Sequence, residues 1–253
     1  MLDYGAYPDQ HRPYYTLRDA KRTLLTTHKG TGQEGAIYAG LQALTADYLG
    51  REWRRDDGAA MKIERCLIDA NWGNSTDVVY QFCRQSPHAA VIMHSHGRYV
   101  GAASVPFSDY KRKPGERVGL HWRTPNVDGK RSVRHVVLDT NYWKSFVQAR
   151  LAVPMGDPGC LSLFMPDAAA GEHRLVAEHL TAEYRVKTSG RGREVDEWKL
   201  RSPGAGGTDN HWLDCLVGCV VAASMQGSVL FGTDQRQAGH KPRLKLSALQ
   251  GRR

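Results

Sequence analysis

The sequence contains no long apolar run. None of its hydrophobic stretches approaches the roughly 18–20 residues that a transmembrane helix needs, and no charged segment followed by an apolar one opens the chain. Neither a membrane-spanning segment nor a secretory leader is therefore predicted. Cysteine is also scarce, since the chain has 5, an odd number, and most of them lie in apolar stretches. This usage argues against a disulfide-stabilised secreted domain and favours reduced thiols in a cytoplasmic protein.

Several motifs of catalysis and cofactor binding are missing as well. The glycine-rich stretches GTGQEG at 30–35 and GAGG at 204–207 lack the Lys-Ser/Thr pair of a phosphate-binding loop, so no nucleotide site is predicted. Cys215 and Cys219 would share one face of a helix, but no second pair at zinc-binding spacing accompanies them. No Ser-His-Asp or Cys-His arrangement for nucleophilic catalysis is supported.

Acidic residues are in deficit. The chain has 35 Lys and Arg against 26 Asp and Glu, which gives a formal net charge of +9. Such an excess raises the local concentration of polyanions, and nucleic acid is the commonest of these partners. A basic protein without such a partner is the alternative. The positive charge is clustered at 51–55, 111–113 and 191–201, and in a tail at 236–253 that is predicted to be flexible.

Apolar periodicity predicts a single α/β domain over residues 1–235. The stretch ERCLIDANWGNSTDVVYQFC, residues 64–83, has the pattern of a buried strand followed by a helix, and AAVIM at 89–93 predicts the next strand. Two strands joined by a helix in this order form a parallel pair with a right-handed crossover. Residues 97–131 are predicted as an insertion, and alternating residues around a Gly-Arg-Gly tip predict a β-hairpin at 184–200.

Asp69 stands at the end of the apolar run Cys66-Leu67-Ile68 and is followed by small and polar residues. Sites in open α/β sheets lie at the carboxyl ends of strands, which makes Asp69 a candidate for catalysis or metal binding. The alternative is structural, with the carboxylate capping the following turn. Position alone does not decide between the two.

Asp214 is the second candidate. Helices are predicted at 172–184 and at 209–225, and in the second of these Asp214 is flanked by apolar residues. A buried carboxylate is costly alone, so Asp214 requires a cation, a hydrogen-bond donor or a metal. If Asp69 and Asp214 met at a strand end, they would hold Mg²⁺ through oxygen ligands. In a basic protein, such a site indicates cleavage of phosphodiesters by metal-bound water.

Three further residues are accessory candidates. Asp209 has an ordinary explanation as the N-cap of the final helix. His94 and His96 follow a predicted strand, where they either contact phosphate or a metal or are satisfied loop histidines. Near the hairpin, the candidates for contacts with DNA are Arg191, Arg193, Lys199 and Arg201.

Three stretches of the chain resemble the nuclease domain of large terminase subunits of the lambda gpA type, which are DNA-packaging proteins of tailed bacteriophages and prophages. They are CLIDANWGNSTDVVYQFC, HVVLDTNYWKSFVQARL and DEWKLRSPGAGGTDNHWLDCLVGCVVAA, of which NHWLDC after EWKL is the most specific part. The resemblance spans most of the chain. It implies a ribonuclease H-like fold, in which a mixed central sheet with flanking helices carries a β-hairpin insertion. It also implies a carboxylate site for two divalent cations, Mg²⁺ or Mn²⁺, with Asp69 at the end of a central strand and Asp214 on the last helix.

The sequence departs from the pattern of this family in two ways. The N-terminal ATPase of the family, with its Walker motifs, has no counterpart here. Family members also carry a first acidic residue on a strand ahead of the LDYGAYPD region, and Asp3 is not in the matching place. We therefore expect the first strand and its acidic ligand to be missing, which leaves the domain incomplete at its N-terminus and its catalysis impaired unless Asp139 or Asp209 completes the site.

These observations predict the nuclease portion of a terminase large subunit, an enzyme that cleaves double-stranded DNA with a metal ion during genome packaging. A catalytically impaired DNA-binding remnant of that domain is one alternative, and an unrelated ribonuclease H-like nuclease or recombinase is another. The resemblance implies a small terminase subunit and a portal protein as partners besides DNA. It implies no membrane partner, and the cytoplasm of a bacterial host cell is the expected location.

Overall fold

The structure is a computed structural model that describes residues 1–16, 18–55, 57–71, 73–126, 134–164, 172–201 and 209–233. Over these residues it contains six α-helices and nine β-strands. The helices are α1 (Leu24–Thr27), α2 (Gly32–Gly50), α3 (Thr76–Gln85), α4 (Thr140–Leu151), α5 (Arg174–Leu180) and α6 (His211–Met225). The strands are β1 (Trp53–Arg54), β2 (Ala60–Met61), β3 (Cys66–Asp69), β4 (Ile92–Arg98), β5 (Arg117–Gly119), β6 (Trp122–Thr124), β7 (His135–Asp139), β8 (Glu183–Gly190) and β9 (Arg193–Leu200).

A mixed five-stranded sheet lies at the centre of the fold, with the strand order β3-β4-β7-β6-β5. β3, β4 and β7 are parallel to one another, whereas β6 is antiparallel to β7 and β5 is antiparallel to β6. The predicted α/β class and mixed central sheet are therefore confirmed. The predicted insertion at 97–131 contributes β5 and β6 to this sheet, so its described part extends the sheet at one edge.

The predicted parallel pair is confirmed, because α3 joins β3 to β4 and the two strands run in the same direction. The predicted start of the second strand at residue 89 is wrong, since β4 begins at Ile92. The reason is a turn after α3, in which the backbone N–H groups of Ala89 and Val91 donate to the carbonyls of Ser86 and His88. This shift moves His94 and His96 from a predicted loop into the strand itself.

The two faces of the sheet are covered by different helices. The larger core joins α4, α5 and α6 to the sheet through residues such as Trp143 and Leu213, both with no exposed surface. The smaller core joins α2 and α3 to the other face around Phe82. Since side chains alternate along a strand, Leu67 of β3 packs in the larger core and Ile68 in the smaller core.

The β-hairpin predicted between residues 184 and 200 is confirmed as β8 and β9, which pair over eight residues each. Arg191 and Gly192 form its tip, both with positive φ (52° and 71°). Two such residues in succession match the tight turns whose twist suits a hairpin. The predicted tail at 236–253 lies outside the described residues. No helix in the described part of the chain is both long enough and apolar enough to cross a membrane.

Candidate functional site

Asp69 is the last residue of β3 and is exposed at the carboxyl edge of the sheet. It shares a face of the strand with Leu67, two residues earlier, so its side chain lies on the side of the sheet that α6 covers. Asp69 Oδ1 accepts a hydrogen bond of 3.1 Å from the backbone N–H of Asn71. The turn-capping interpretation of Asp69 is thereby confirmed for one of its two oxygens.

The last helix, α6, brings Asp214 to the same edge. It runs antiparallel to β3, because Gln226, just after the helix, donates from Nε2 to Glu64 Oε2, ahead of the strand, at 3.4 Å. Gly218 in the middle of α6 packs on Leu67 in the middle of β3, since a Cβ atom placed on Gly218 would lie 4.0 Å from Leu67 Cβ. From there, Asp214 lies about 6 Å back along the helix axis and Asp69 about 6.6 Å along the strand. The structure thus brings the two predicted acidic residues to the same edge and the same face of the sheet.

Asp214 lies in the first turn of α6, not deep within a buried helix, because the helix begins at His211. Its side chain is 46% exposed. The surrounding residues still remove part of the hydration of this side chain, and this burial raises the pKa of the Asp214 carboxyl above its ordinary value. Lys144 opposes that rise in pKa, whereas the charges of Glu183 and Asp69 add to it. Asp69 therefore lies close enough for its negative charge to raise the pKa of Asp214.

The cation that Asp214 requires is Lys144. Its Nζ atom lies 3.0 Å from Asp214 Oδ1 and 2.5 Å from Glu183 Oε1. Asn210 Nδ2 donates to the same Glu183 oxygen at 2.5 Å. Lys144 and Glu183 are both buried, with 8% and 6% of the whole residue exposed. A buried ion pair therefore adjoins one of the two candidate carboxylates.

Sequence reasoning missed both members of this pair. The signal for Lys144 was its position in a helix that is otherwise rich in large apolar residues, where a lysine needs a partner. Glu183 was included in the helix predicted at 172–184. The predicted end of that helix is wrong, since α5 ends at Leu180 and Glu183 is the first residue of β8. As a strand residue, Glu183 turns inward and is buried.

Asp209 is not the N-cap of α6, so that prediction is wrong. The N-cap position belongs to Asn210, whose side chain makes no capping hydrogen bond to the helix. Asp209 lies 3.9 Å from His211 Nε2, and its side chain is 44% exposed. The nearby acid that does cap a helix is Asp139, whose side chain accepts from the backbone N–H of Tyr142 at the start of α4.

His94 and His96 lie on the opposite face of the sheet from Asp214. They share the side of β4 that faces the smaller core, as Ile92 does. His94 is 2% exposed, and its ring stacks on that of His135 with 5.2 Å between centroids. His94 Nδ1 lies 3.2 Å from His96 Nε2. Both residues belong to the strand, so their predicted place in a loop is wrong.

His96 nevertheless connects to the turn that follows Asp69. Its Nδ1 atom lies 2.9 Å from Asn71 Oδ1, and Asn71 also binds the Asp69 carboxylate through its backbone. The pKa of His96 is lowered, chiefly by burial and then by His135, and the charge of Asp69 acts in the opposite direction. His96 therefore supports the turn beside Asp69 from the other face.

The four basic residues predicted to contact DNA lie at opposite ends of the hairpin. Lys199 and Arg201 are exposed near its base, close to the start of β8. Arg191 is exposed at its tip, about 20 Å away along an eight-residue strand. Arg193 is half-buried and donates to backbone carbonyls of the loop after β4, those of Gly101, Ala102 and Ser104. Its guanidinium is engaged in anchoring the hairpin.

The donor chemistry of the site suits an oxygen-preferring divalent ion. Within the described ranges, no group of three or more His, Cys, Asp and Glu side chains is arranged to hold a metal. Mg²⁺ is commonly bound through one or two carboxylates, with water and substrate phosphate completing its shell. Asp69 and Asp214 fit that requirement for one ion. Glu183 Oε2 is a buried oxygen without a hydrogen-bond partner among the described residues, although Oε1 of the same carboxylate is paired with Lys144.

Comparison with known proteins gave one match. The model of the terminase large subunit gpA endonuclease domain matches residues 25–231 of the 253 in the chain. The match includes Asp69, Asp214, the ion pair beside them and the whole hairpin. Searches of the curated proteins and of the solved structures gave no match.

Proposed function

On the premise that this chain belongs to the terminase large subunit gpA endonuclease domain family, we propose that it cuts double-stranded DNA during genome packaging with a divalent cation held by Asp69 and Asp214. The observation that supports this proposal is the position of Asp69 and Asp214 at one edge and on one face of the sheet, where the charge of Asp69 contributes to the raised pKa of Asp214. Each comes from a different part of the chain, and each is placed by an element that packs on the other.

A divalent ion bound there would supply a charged centre that lowers the pKa of water and neutralises phosphate charge. The residues of the chain have the complementary tasks. Asp69 and Asp214 would present oxygen ligands from β3 and α6, while Asn71 fixes the orientation of the Asp69 carboxylate. A second ion, which the family resemblance implies, would need donors beyond these two carboxylates.

A ribonuclease H-like fold is part of the proposal. It is supported by the mixed five-stranded sheet, by an acid at the carboxyl end of a parallel strand and by a second acid on the last helix. Duplex DNA is the proposed substrate, and the exposed residues Lys199 and Arg201 at the base of the hairpin would bind its phosphates. A small terminase subunit, a portal protein and the cytoplasm of a bacterial host cell complete the proposed setting.

A non-catalytic DNA-binding domain is the second candidate. It is favoured by the ion pair of Asp214 with Lys144 and by the small number of acidic ligands among the described residues. Both candidates predict binding of duplex DNA, so cleavage separates them.

The deciding experiment measures cleavage of plasmid DNA with Mg²⁺ or Mn²⁺. We expect Asp69→Asn and Asp214→Asn each to lower the cleavage rate by about 100-fold or more, because each removes a charged ligand of the ion. Asp47→Asn on the exposed side of α2 is the matched control and should leave the rate unchanged. Cleavage that persists in both site variants, or that needs no divalent cation, would contradict the proposal; binding without cleavage would favour the second candidate.

A further inference from the structure

Lys144 is held between two carboxylates from different elements. It projects from α4 towards Glu183 at the start of β8 and towards Asp214 in the first turn of α6. Elsewhere α4 and α6 pack on each other through apolar residues of the larger core, such as Trp143 and Leu213. The ammonium group therefore defines where the Asp214 carboxylate sits relative to the core.

Burial makes this contact different from a surface ion pair. The side chains of Lys144 and Glu183 are 11% and 4% exposed, whereas those of the hairpin pair Lys187 and Glu194 are 63% and 58% exposed. An exposed pair holds its side chains loosely and contributes little. A buried pair must keep good geometry, because either charge alone would be left without solvation. Lys144 is accordingly fixed in place.

Glu183 fixes the beginning of α6 as well. Its Oε1 atom accepts from Asn210 Nδ2, and the backbone carbonyl of Asn210 accepts from the N–H of Asp214 at 3.1 Å. Glu183 thus reaches Asp214 by two routes, through the Lys144 ammonium and through the first turn of the helix. The first route holds the carboxylate of Asp214, and the second holds its backbone.

We propose that Lys144 is a positioning residue, which binds Asp214 Oδ1 and so orients the carboxylate with its second oxygen available to a cation shared with Asp69. Glu183 and Asn210 anchor Lys144 in this role. Lys144 itself does not contact DNA or the reacting atoms. This inference rests on the proposed function, since it assigns an orientation to one of the two proposed metal ligands.

Charge must be kept constant in a test of orientation. Lys144→Met alone would leave a site with one more net negative charge, which attracts cations whatever the orientation of Asp214. Lys144→Met combined with Glu183→Gln removes one positive and one negative charge, so the net charge is unchanged and neither member of the buried pair is left as an unpaired ion. Asp214, whose side chain is 46% exposed, loses its cation in this variant, which is the change that the test requires. The exposed pair gives the matched control, Lys187→Met with Glu194→Gln.

The experiment is a calorimetric titration of each protein with Mn²⁺ in the absence of DNA. We expect the Lys144/Glu183 double variant to bind Mn²⁺ about 10-fold or more weakly than the wild type, while the Lys187/Glu194 variant binds it as the wild type does. Circular dichroism of the same samples verifies that each variant is folded. An unchanged Mn²⁺ affinity in the folded Lys144/Glu183 variant would overturn the proposal.

Two further variants keep the result interpretable. If Asp69→Asn binds Mn²⁺ as the wild type does, the proposed metal site itself is wrong and the role of Lys144 falls with it. If Asp69→Asn loses binding, the site stands and the double variant decides the role of Lys144. Should the double variant fail to fold, Asn210→Ala replaces it, because this change removes only the hydrogen bond that anchors Glu183. Weaker Mn²⁺ binding by Asn210→Ala supports the proposal, and unchanged binding overturns it.

Discussion

At the residue scale, the two candidate acids were predictable because each interrupts an apolar pattern. Asp69 ends a run of buried strand residues, and Asp214 lies among apolar helix residues. Their neighbours were not predictable in the same way. Lys144 and Glu183 are 39 positions apart in the chain, so no local pattern links them, and a lysine in a helix ordinarily lies in solvent. Only the packing of α4, α6 and β8 shows that Lys144 is the partner of Asp214 and Glu183.

The residue-scale prediction concerns the effect of Asp214 on the stability of the folded protein. Its raised pKa means that the folded protein binds the proton more tightly than the unfolded chain does. Ionised Asp214 therefore destabilises the fold, and this loss sets in as pH rises from the ordinary pKa of an aspartate through the raised pKa of Asp214. Because the Asp214 side chain is 46% exposed, solvent screening reduces this effect. We expect Asp214→Asn to raise the melting temperature at pH 7 by no more than a few degrees, in a domain where about 1 kcal/mol corresponds to roughly 2–4 °C.

Melting curves between pH 3 and pH 8 measure this effect. The advantage of Asp214→Asn should disappear at the acidic end, where Asp214 is protonated in both the folded and the unfolded wild type. Asp47→Asn serves as the exposed control. A variant that is less stable than the wild type at pH 7 would show that the ion pair with Lys144 outweighs the burial of Asp214.

At the element scale, the order and type of the main elements followed from the sequence, but their ends did not. The parallel pair of β3 and β4 and the β8–β9 hairpin were predicted from apolar runs and from a Gly-Arg-Gly tip. The start of β4 was misplaced because a hydrogen-bonded turn takes up the preceding apolar residues. The role of Arg193 was also missed, since a basic residue near a hairpin tip has the same sequence signal whether it faces DNA or binds a backbone carbonyl.

The element-scale prediction concerns Asn141 of α4, which joins the hairpin to the loop after β4. It is 3% exposed; its Nδ2 atom donates to the carbonyl of Val100 at 3.2 Å, and its Oδ1 atom accepts from the N–H of Trp198 at 3.0 Å. Asn141→Ala would leave both backbone groups without partners. Since each such group costs about 1–3 kcal/mol, we expect the free energy of unfolding to fall by about 2–4 kcal/mol.

Chemical denaturation measures this loss, and Ser145→Ala is its control. Ser145 Oγ accepts the indole N–H of Trp198 at 2.8 Å. Loss of this bond should cost about 0.5–1.5 kcal/mol, the contribution of one ordinary hydrogen bond. If Asn141→Ala cost no more than Ser145→Ala, the hairpin would not depend on this bridge.

At the scale of the whole molecule, the positive charge is divided unevenly along the chain. Residues 236–253 contain six Lys and Arg and no Asp or Glu, so they carry +6 of the formal charge of +9 and residues 1–235 carry +3. Residues 1–235 also neutralise several of their basic groups internally, as in the pairs of Arg185 with Asp196 and of Lys187 with Glu194. Sequence composition alone predicts a polyanion partner, but it does not separate the contribution of residues 1–235 from that of residues 236–253.

The last prediction separates these contributions through the salt dependence of DNA binding. Each phosphate contact releases counterions, so the affinity for duplex DNA should fall by orders of magnitude between about 50 and 200 mM salt. We expect a full-length variant with the six basic residues of 236–253 replaced by glutamine to show a shallower dependence, with the slope of log affinity against log salt reduced by about 2–5. Fluorescence anisotropy with a labelled duplex measures both slopes. Cleavage at low salt should still require Asp69, because the tail supplies contacts with phosphate and no ligand for the cation. An unchanged slope would assign the phosphate contacts to residues 1–235, and then Lys199→Gln and Arg201→Gln should reduce it instead.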